Sequence, residues 1–421
     1  MDLDPREAQR KRVSQLLTAG DQLTQVLSIN RSKLTLFYLV ASISFLVIGF
    51  SIGMAKLGEQ DRFFSNSILG TYISVHPVLM VFGVIGGLLI AEKIEIMNKF
   101  LIFKRLPISY LIIVIMLPGI LLLSIGYASE YAILRYTGSV LIAITGLLLT
   151  WFMVSLRNPG NFGVKLIMGS ALVALSFSSI AESITSAIES PIVAFLLLSF
   201  PIIYILGERI ELGQIRSIGK VTMGILVFSS IMIPVLLFFA TLGHYMLIDR
   251  LLFDSSEIFL LILVLTSIRY DPTTRKLRSP GKLQSFMQFS IISSYAWLLV
   301  GIALYLVQMN VESGFMDPAT HSIAIGFIGL FIIAHSPIIF PLTLKLKVDT
   351  TRVTKSPIYA LNLAVFLRVG GDLISKQSEA GNVMAYSSVY VLMIAIFLFF
   401  FNIMRIKDKA SAKKMATGNS G

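Results

Sequence analysis

Long apolar runs, separated by short basic or polar breaks, dominate the chain. A bilayer core of about 30 Å takes roughly 20 apolar residues per helix. Twelve runs are of that order, near residues 34–56, 69–91, 107–128, 134–156, 165–188, 191–207, 219–243, 246–268, 284–308, 318–341, 357–377 and 382–404. A backbone in lipid has to satisfy its own N–H and C=O groups. The pattern therefore predicts an all-α polytopic bundle of about twelve transmembrane helices (34–404), flanked by a basic amphipathic N-terminal segment (1–33) and a basic C-terminal tail (405–421). The eighth run holds Asp249, Arg250, Asp254 and Glu257. Its outer half is either a polar loop or faces the bundle interior.

Composition sharpens this picture. The 421 residues are 55% hydrophobic and only 14% charged, with a mean hydropathy of +0.82, against about 25% charged in a soluble domain. A soluble enzyme is excluded. With no cysteine, disulfides, thiolate clusters and covalent c-type haem are excluded too, so any metal must hang on histidine, carboxylate or methionine. There are four histidines.

Basic residues favour the cytoplasmic side of short loops. The two tails and the loops after even-numbered spans hold 29 of the 35 basic residues. Both termini are expected in the cytoplasm of a cell-membrane protein, and the net charge of +12 is expected to face anionic lipid rather than nucleic acid. The first apolar run lacks a cleavage site and is expected to stay as an anchor. Before it, Val13, Leu16, Leu23 and Leu27 recur at helical spacing among basic residues, which suits an interfacial helix or a basic tail.

Three span ends look alike. The second closes with Ile90-Ala91-Glu92, the sixth with Leu206-Gly207-Glu208 and the tenth with Ile333-Ala334-His335. Each step covers four spans in the same orientation, which predicts three pseudo-repeats of four helices. Glu92, Glu208 and His335 would then converge near the inner surface, where they could pass protons or hold an ion.

His76 and His321 are expected at one outer level, about 10 Å inside the surface for His76 by helical rise. His321 follows Asp317-Pro318, read as an N-cap and first helical residue. Gly83, Gly86 and Gly87 follow His76, and Gly326 and Gly329 follow His321. They leave room for a flat object or a neighbouring helix. Two imidazoles from two helices at one level are what an axially bis-ligated haem requires, and equally what a pair hydrogen-bonded inside a bundle provides. On an ideal helix His335 lies about 21 Å beyond His321, too far to share a metal. It joins the inner layer as a separate candidate ligand or proton carrier. Arg368 and Asp372 are four apart in the eleventh span. They form either a self-neutralising pair or a site in which Arg368 meets an anion, such as a haem propionate, and Asp372 orients an imidazole. His244 is expected at the interface.

The run His76-Pro-Val-Leu-Met-Val-Phe-Gly83 resembles the His-x-His-Glu-Met-x-Phe-Gly stretch of NnrS proteins, and His321-Ser-Ile-Ala-Ile-Gly326-Phe-Ile-Gly329 is similar to their His-x4-Gly-x2-Gly helix. Leu367-Arg368-Val369 looks like their late Leu-Arg-Val motif. Val78 and Leu79 replace that family's second histidine and glutamate, and the Arg and Gly-His-Thr-Gly after the tenth-span motif are missing; the continuation Ala334-His335-Ser-Pro337-Ile-Ile-Phe-Pro341, with Glu92 after the second span, looks closer to an uncharacterised NnrS-like branch. The resemblance implies twelve spans, haem b with copper as a further metal, and a part in nitric oxide chemistry or response. A more distant likeness is to haem-copper oxidase subunit I, whose low-spin haem ligands lie on the second and tenth helices. The histidines that hold the oxidase copper are absent here.

The leading expectation is thus a membrane haem protein with iron between His76 and His321, working with a membrane redox partner. With both axial positions filled, electron transfer or sensing is favoured over catalysis. The alternative is a proton- or ion-coupled transporter using Glu92, Glu208, His335, Arg368 and Asp372. A third reading is a non-catalytic membrane subunit.

Overall fold

The computed structural model describes residues 37–38, 40–55, 74–90, 108–155, 161–185, 190–213, 218–243, 246–275, 280–311, 314–343, 353–375 and 378–406. The N-terminal segment, Glu92, His244 and residues 407–421 lie outside them. The described residues contain helices and no strand. In chain order the helices are α1 (Val40–Ala55), α2 (Val75–Ile90), α3 (Ile108–Ala128) and α4 (Ala132–Ser155). Then come α5 (Phe162–Thr185), α6 (Pro191–Gly213), α7 (Lys220–Leu242) and α8 (Met246–Tyr270). The last four are α9 (Lys282–Asn310), α10 (316–343), α11 (Ser356–Ser375) and α12 (Glu379–Ile406). Among the described residues nine helices are long and apolar enough to cross a membrane, and α1, α2 and part of α3 are shorter apolar pieces. Many large apolar side chains face outward, among them Ile133, Trp151, Val221 and Phe397. Water-soluble surfaces rarely collect so many, which fits a lipid environment.

Local chemistry sets several boundaries. Pro191 opens α6, where its missing N–H costs nothing, and the Ser190 carbonyl accepts from the Ala194 N–H at 2.9 Å. α8 is continuous through Asp249, Arg250, Asp254 and Glu257, so this stretch is helix rather than loop, and Glu257 faces inward, 1% exposed. After Tyr270, Asp271 caps a single 3₁₀ turn, Pro272–Thr274, by accepting from the Thr273 N–H at 2.8 Å. α10 starts at Met316, one residue before the expected cap, because Gln308 Oε1 accepts the N–H groups of Phe315 and Met316 at 2.7 and 2.9 Å. Asp317 is thereby released from capping.

Two helices depart from α winding. Val78–Gly86 in α2 and Ser322–Gly329 in α10 are π-helical. Each π segment begins directly after a candidate ligand, His76-Pro77 in one case and His321 in the other. Bonding from residue i to i+5 winds the chain more slowly than 3.6 residues per turn. The ideal-helix rise taken between His321 and His335 therefore does not apply.

α6 is the hub: it packs against α2, α5, α7, α8, α9 and α10. It is also the most buried of the nine long helices, and α2 is buried along almost its whole length. α1 lies between α2 and α12, with Phe50 and Met54 packed against Ala385 and Val389. Small residues let these helices approach. Beside Gly83, Gly87 and Gly326 the room is taken by neighbouring helices. A Cβ on Gly83 would lie 2.7 Å from Phe45, one on Gly87 2.3 Å from Ser42 Oγ, and one on Gly326 2.6 Å from Trp297.

Candidate functional site

At one end of the bundle, α10 and α11 bring four polar side chains together. Arg368 Nη2 donates to Asp317 Oδ2 at 2.7 Å, and Arg368 Nε lies 3.2 Å from Asp372 Oδ2. The guanidinium therefore sits between two carboxylates. His321 Nδ1 donates to the Asp317 carbonyl at 2.8 Å and lies 3.7 Å from Asp317 Oδ1. One nitrogen of His321 and one oxygen each of Asp317 and Asp372 fall within 4.8 Å of one another, a spacing that could hold a metal ion. With a neutral imidazole the four groups carry one net negative charge, two carboxylates against one guanidinium, which favours a cation in their midst. Arg368 is 93% withdrawn from solvent, whereas Asp317 is 44% exposed, so the cluster opens on the Asp317 side.

His76 comes from α2 to the same region and acts electrostatically on His321. A carbonyl can only accept, so His76 Nδ1–H donates to the Gly49 carbonyl, at 2.6 Å. The lone pair then lies on Nε2. Such fixing of one nitrogen by a backbone carbonyl is how proteins orient imidazole ligands. Gly53 makes the approach of α1 possible: a Cβ there would lie 2.8 Å from His76 Cε1.

The opposite end holds a second cluster. Arg209 on α6 donates from Nε to Asp271 Oδ2 at 2.6 Å and from Nη2 to Asp271 Oδ1 at 2.5 Å. It also bonds Thr273 Oγ1, and Nη1 donates to His335 Nε2 at 3.2 Å. His335 Nδ1–H in turn donates to the Phe331 carbonyl at 3.0 Å, and the Tyr295 hydroxyl donates to Asp271 Oδ2 at 3.1 Å. Burial by itself would raise the Asp271 carboxyl, but the Arg209 hydrogen bonds and charge, with Thr273, hold it below the usual carboxylate range. Every donor of this guanidinium group that faces the interior is matched, which makes the cluster a lock between α6, the end of α8, α9 and α10.

The structure thus gathers His321, Arg368 and Asp372 at one end, brings His76 near them, and puts His335 at the other end against Arg209. Glu208 is half-buried and acts electrostatically on Arg209, but the residue that meets His335 is Arg209. The Arg209 guanidinium occupies the His335 Nε2 lone pair and the Phe331 carbonyl takes Nδ1–H, so both ring nitrogens are engaged in this arrangement. Arg209, Asp271 and Tyr295 are not singled out by sequence alone, and the place of Asp317 before Pro318 points only to a cap. Asp271 before Pro272 is of a type that caps a turn, and nothing local to it points to the ion pair.

The donors at His321, one imidazole and two carboxylates, suit a bare first-row divalent ion. Bis-imidazole haem is less well matched. Phe45, Ser42 and Trp297 stand against Gly83, Gly87 and Gly326, and the proposed propionate anchor Arg368 is already paired with two carboxylates.

Fold and composition together define an all-helical polytopic membrane protein. A family model described as "Domain of unknown function (DUF8744)" matches residues 34–401, and the chain belongs to that family. No curated protein matches it.

Proposed function

We propose that this is a metal-binding membrane protein of redox or diatomic-gas chemistry, with the metal held by His321, Asp317 and Asp372 and with His76 as a further imidazole ligand. The single observation that carries the reading is the convergence of the three donors on α10 and α11 within 4.8 Å. The π segments that begin beside His76 and His321 add support, since such distortions recur at functional sites. The resemblance to NnrS proteins supplies the redox and nitric oxide part of the proposal, and names haem iron as the form the metal would take. A bare ion and haem iron share one chemistry, a transition metal accepting an imidazole nitrogen.

The same proposal takes the chain as twelve-spanning, with both termini in the cytoplasm and the His321 end facing outward. The basic-residue bias supports that orientation. The like span ends at Glu92, Glu208 and His335 support three four-helix units.

An absorption spectrum of the purified protein, with metal analysis, tests the reading. A haem band lost in both His76→Ala and His321→Ala supports haem iron. A colourless protein that carries a metal lost in His321→Ala and Asp372→Ala supports the bare ion. A colourless protein free of metal after reconstitution with iron, copper, manganese and zinc overturns both, and leaves the proton- or ion-coupled transporter.

A further inference from the structure

Two of the three donors at the metal site, Asp317 and His321, belong to an α-helical piece of only six residues, Met316–His321, and π winding begins at the next residue, Ser322. So short a piece of helix does not hold its own shape, because nucleation costs more than its few internal hydrogen bonds return. An element packed against it has to fix the two side chains.

That element is α9, which packs along both the α-helical and the π-helical parts of α10. Gln308 Oε1 accepts the N–H groups of Phe315 and Met316 at 2.7 and 2.9 Å. One turn earlier on α9, the Tyr305 hydroxyl lies 2.7 Å from Oγ1 of Thr320, the residue before His321. Farther along, the Trp297 carbonyl accepts from Oγ of Ser322, the residue after His321, at 2.8 Å. Trp297 Nε1 also donates to Asn362 Oδ1 at 2.9 Å, which ties α9 to α11, the helix of Arg368 and Asp372.

The first N–H groups of a helix have no partner inside it, and an aspartate at the start is a favoured side chain to accept from them. With Gln308 accepting instead, the Asp317 carboxylate reaches Arg368 at 2.7 Å and stands 3.7 Å from His321 Nδ1. Tyr305 is fully buried. Phe195 and Phe253 pack on its ring at centroid distances of 4.7 and 6.3 Å, so its hydroxyl is a fixed point against which the turn carrying His321 is set. Resting on the metal reading above, we infer that Gln308 and Tyr305 are positioning residues of the metal site. Gln308 keeps Asp317 out of the helix cap, and Tyr305 holds the turn from which His321 projects. Losing partners that orient metal ligands costs about 10–100-fold in affinity.

The test is titration of the full chain in lipid nanodiscs with cobalt(II), whose d–d absorption reports the number and geometry of its ligands. Wild type binds the ion. Gln308→Leu and Tyr305→Phe bind it about 10–100-fold more weakly and with shifted bands. Gln308→Glu, which keeps the acceptor oxygens, retains the wild-type bands. Thermal unfolding of the metal-free proteins separates positioning from stability. Variants that lose stability but keep the wild-type affinity and bands overturn the inference and leave the metal reading standing. If Gln308→Leu does not fold, Tyr305→Phe, which removes one oxygen and keeps the ring, decides the question. No cobalt bound by wild type overturns the metal reading and this inference with it.

Discussion

Arg209 grips Asp271 through two parallel hydrogen bonds, at 2.6 and 2.5 Å, with both side chains almost completely withdrawn from solvent. The pair ties the central helix α6 to the turn that ends α8. Removing one partner strands the other as a buried charge, which costs about 3–5 kcal/mol. Asp271→Asn and Arg209→Met are each expected to destabilise by that order in thermal unfolding in detergent. The double variant should lose less than the sum of the two.

The same pair predicts a pH dependence. The Asp271 carboxyl is held below its ordinary value, so its contribution is present above the unfolded-state pKa of about 3.9. It is lost as pH falls through the lower folded-state value. The stability gap between wild type and Asp271→Asn should stay constant from about pH 8 down to about pH 5 and narrow only below about pH 4. Unfolding midpoints of the two proteins across that range check this.

Helix contact predicts opposite outcomes for two glycines. A Cβ on Gly138 of α4 would lie 2.4 Å from the Leu123 backbone nitrogen on α3, whereas one on Gly224 of α7 meets nothing within 4 Å. Gly138→Ala should cost roughly 1–3 kcal/mol by overpacking against a backbone that cannot move aside. Gly224→Ala should be neutral or stabilising by up to about 1 kcal/mol through helix propensity. Thermal unfolding of the two variants separates them.

Gly53 predicts a positional effect on the site. With a Cβ 2.8 Å from the His76 ring, Gly53→Ala should displace the imidazole from its bond to the Gly49 carbonyl and weaken metal binding while the bundle stays folded. Losing the backbone partner that orients an imidazole ligand costs about 10–100-fold in affinity. A metal titration of wild type and variant gives the comparison, with circular dichroism as the check on folding.

The long apolar runs made the helical bundle legible, and the four-residue spacing of Arg368 and Asp372 made their adjacency legible. The helix that carries Glu257 was readable as apolar, yet nothing local decided whether the acid faced inward; burial among α6, α7 and α9 did. Asp317 misled because its place before Pro318 suits a cap, and the acceptor that replaced it, Gln308, comes from the preceding helix. The π segments were invisible because ideal α-helical winding was taken for every span. The glycines signalled space, and only the packing of α1 and α9 showed that side chains fill it. Arg209 with Asp271 could not be paired from sequence, being 62 residues apart with no local signal linking them.

The most direct test of the metal centre is stoichiometry by elemental analysis, on protein reconstituted with each candidate metal and washed free of excess. About one firmly bound transition metal per wild-type chain is expected, with loss in His321→Ala and in Asp317→Ala and retention in His335→Gln. Equal metal content in wild type and His321→Ala, or none in either, would contradict the assignment.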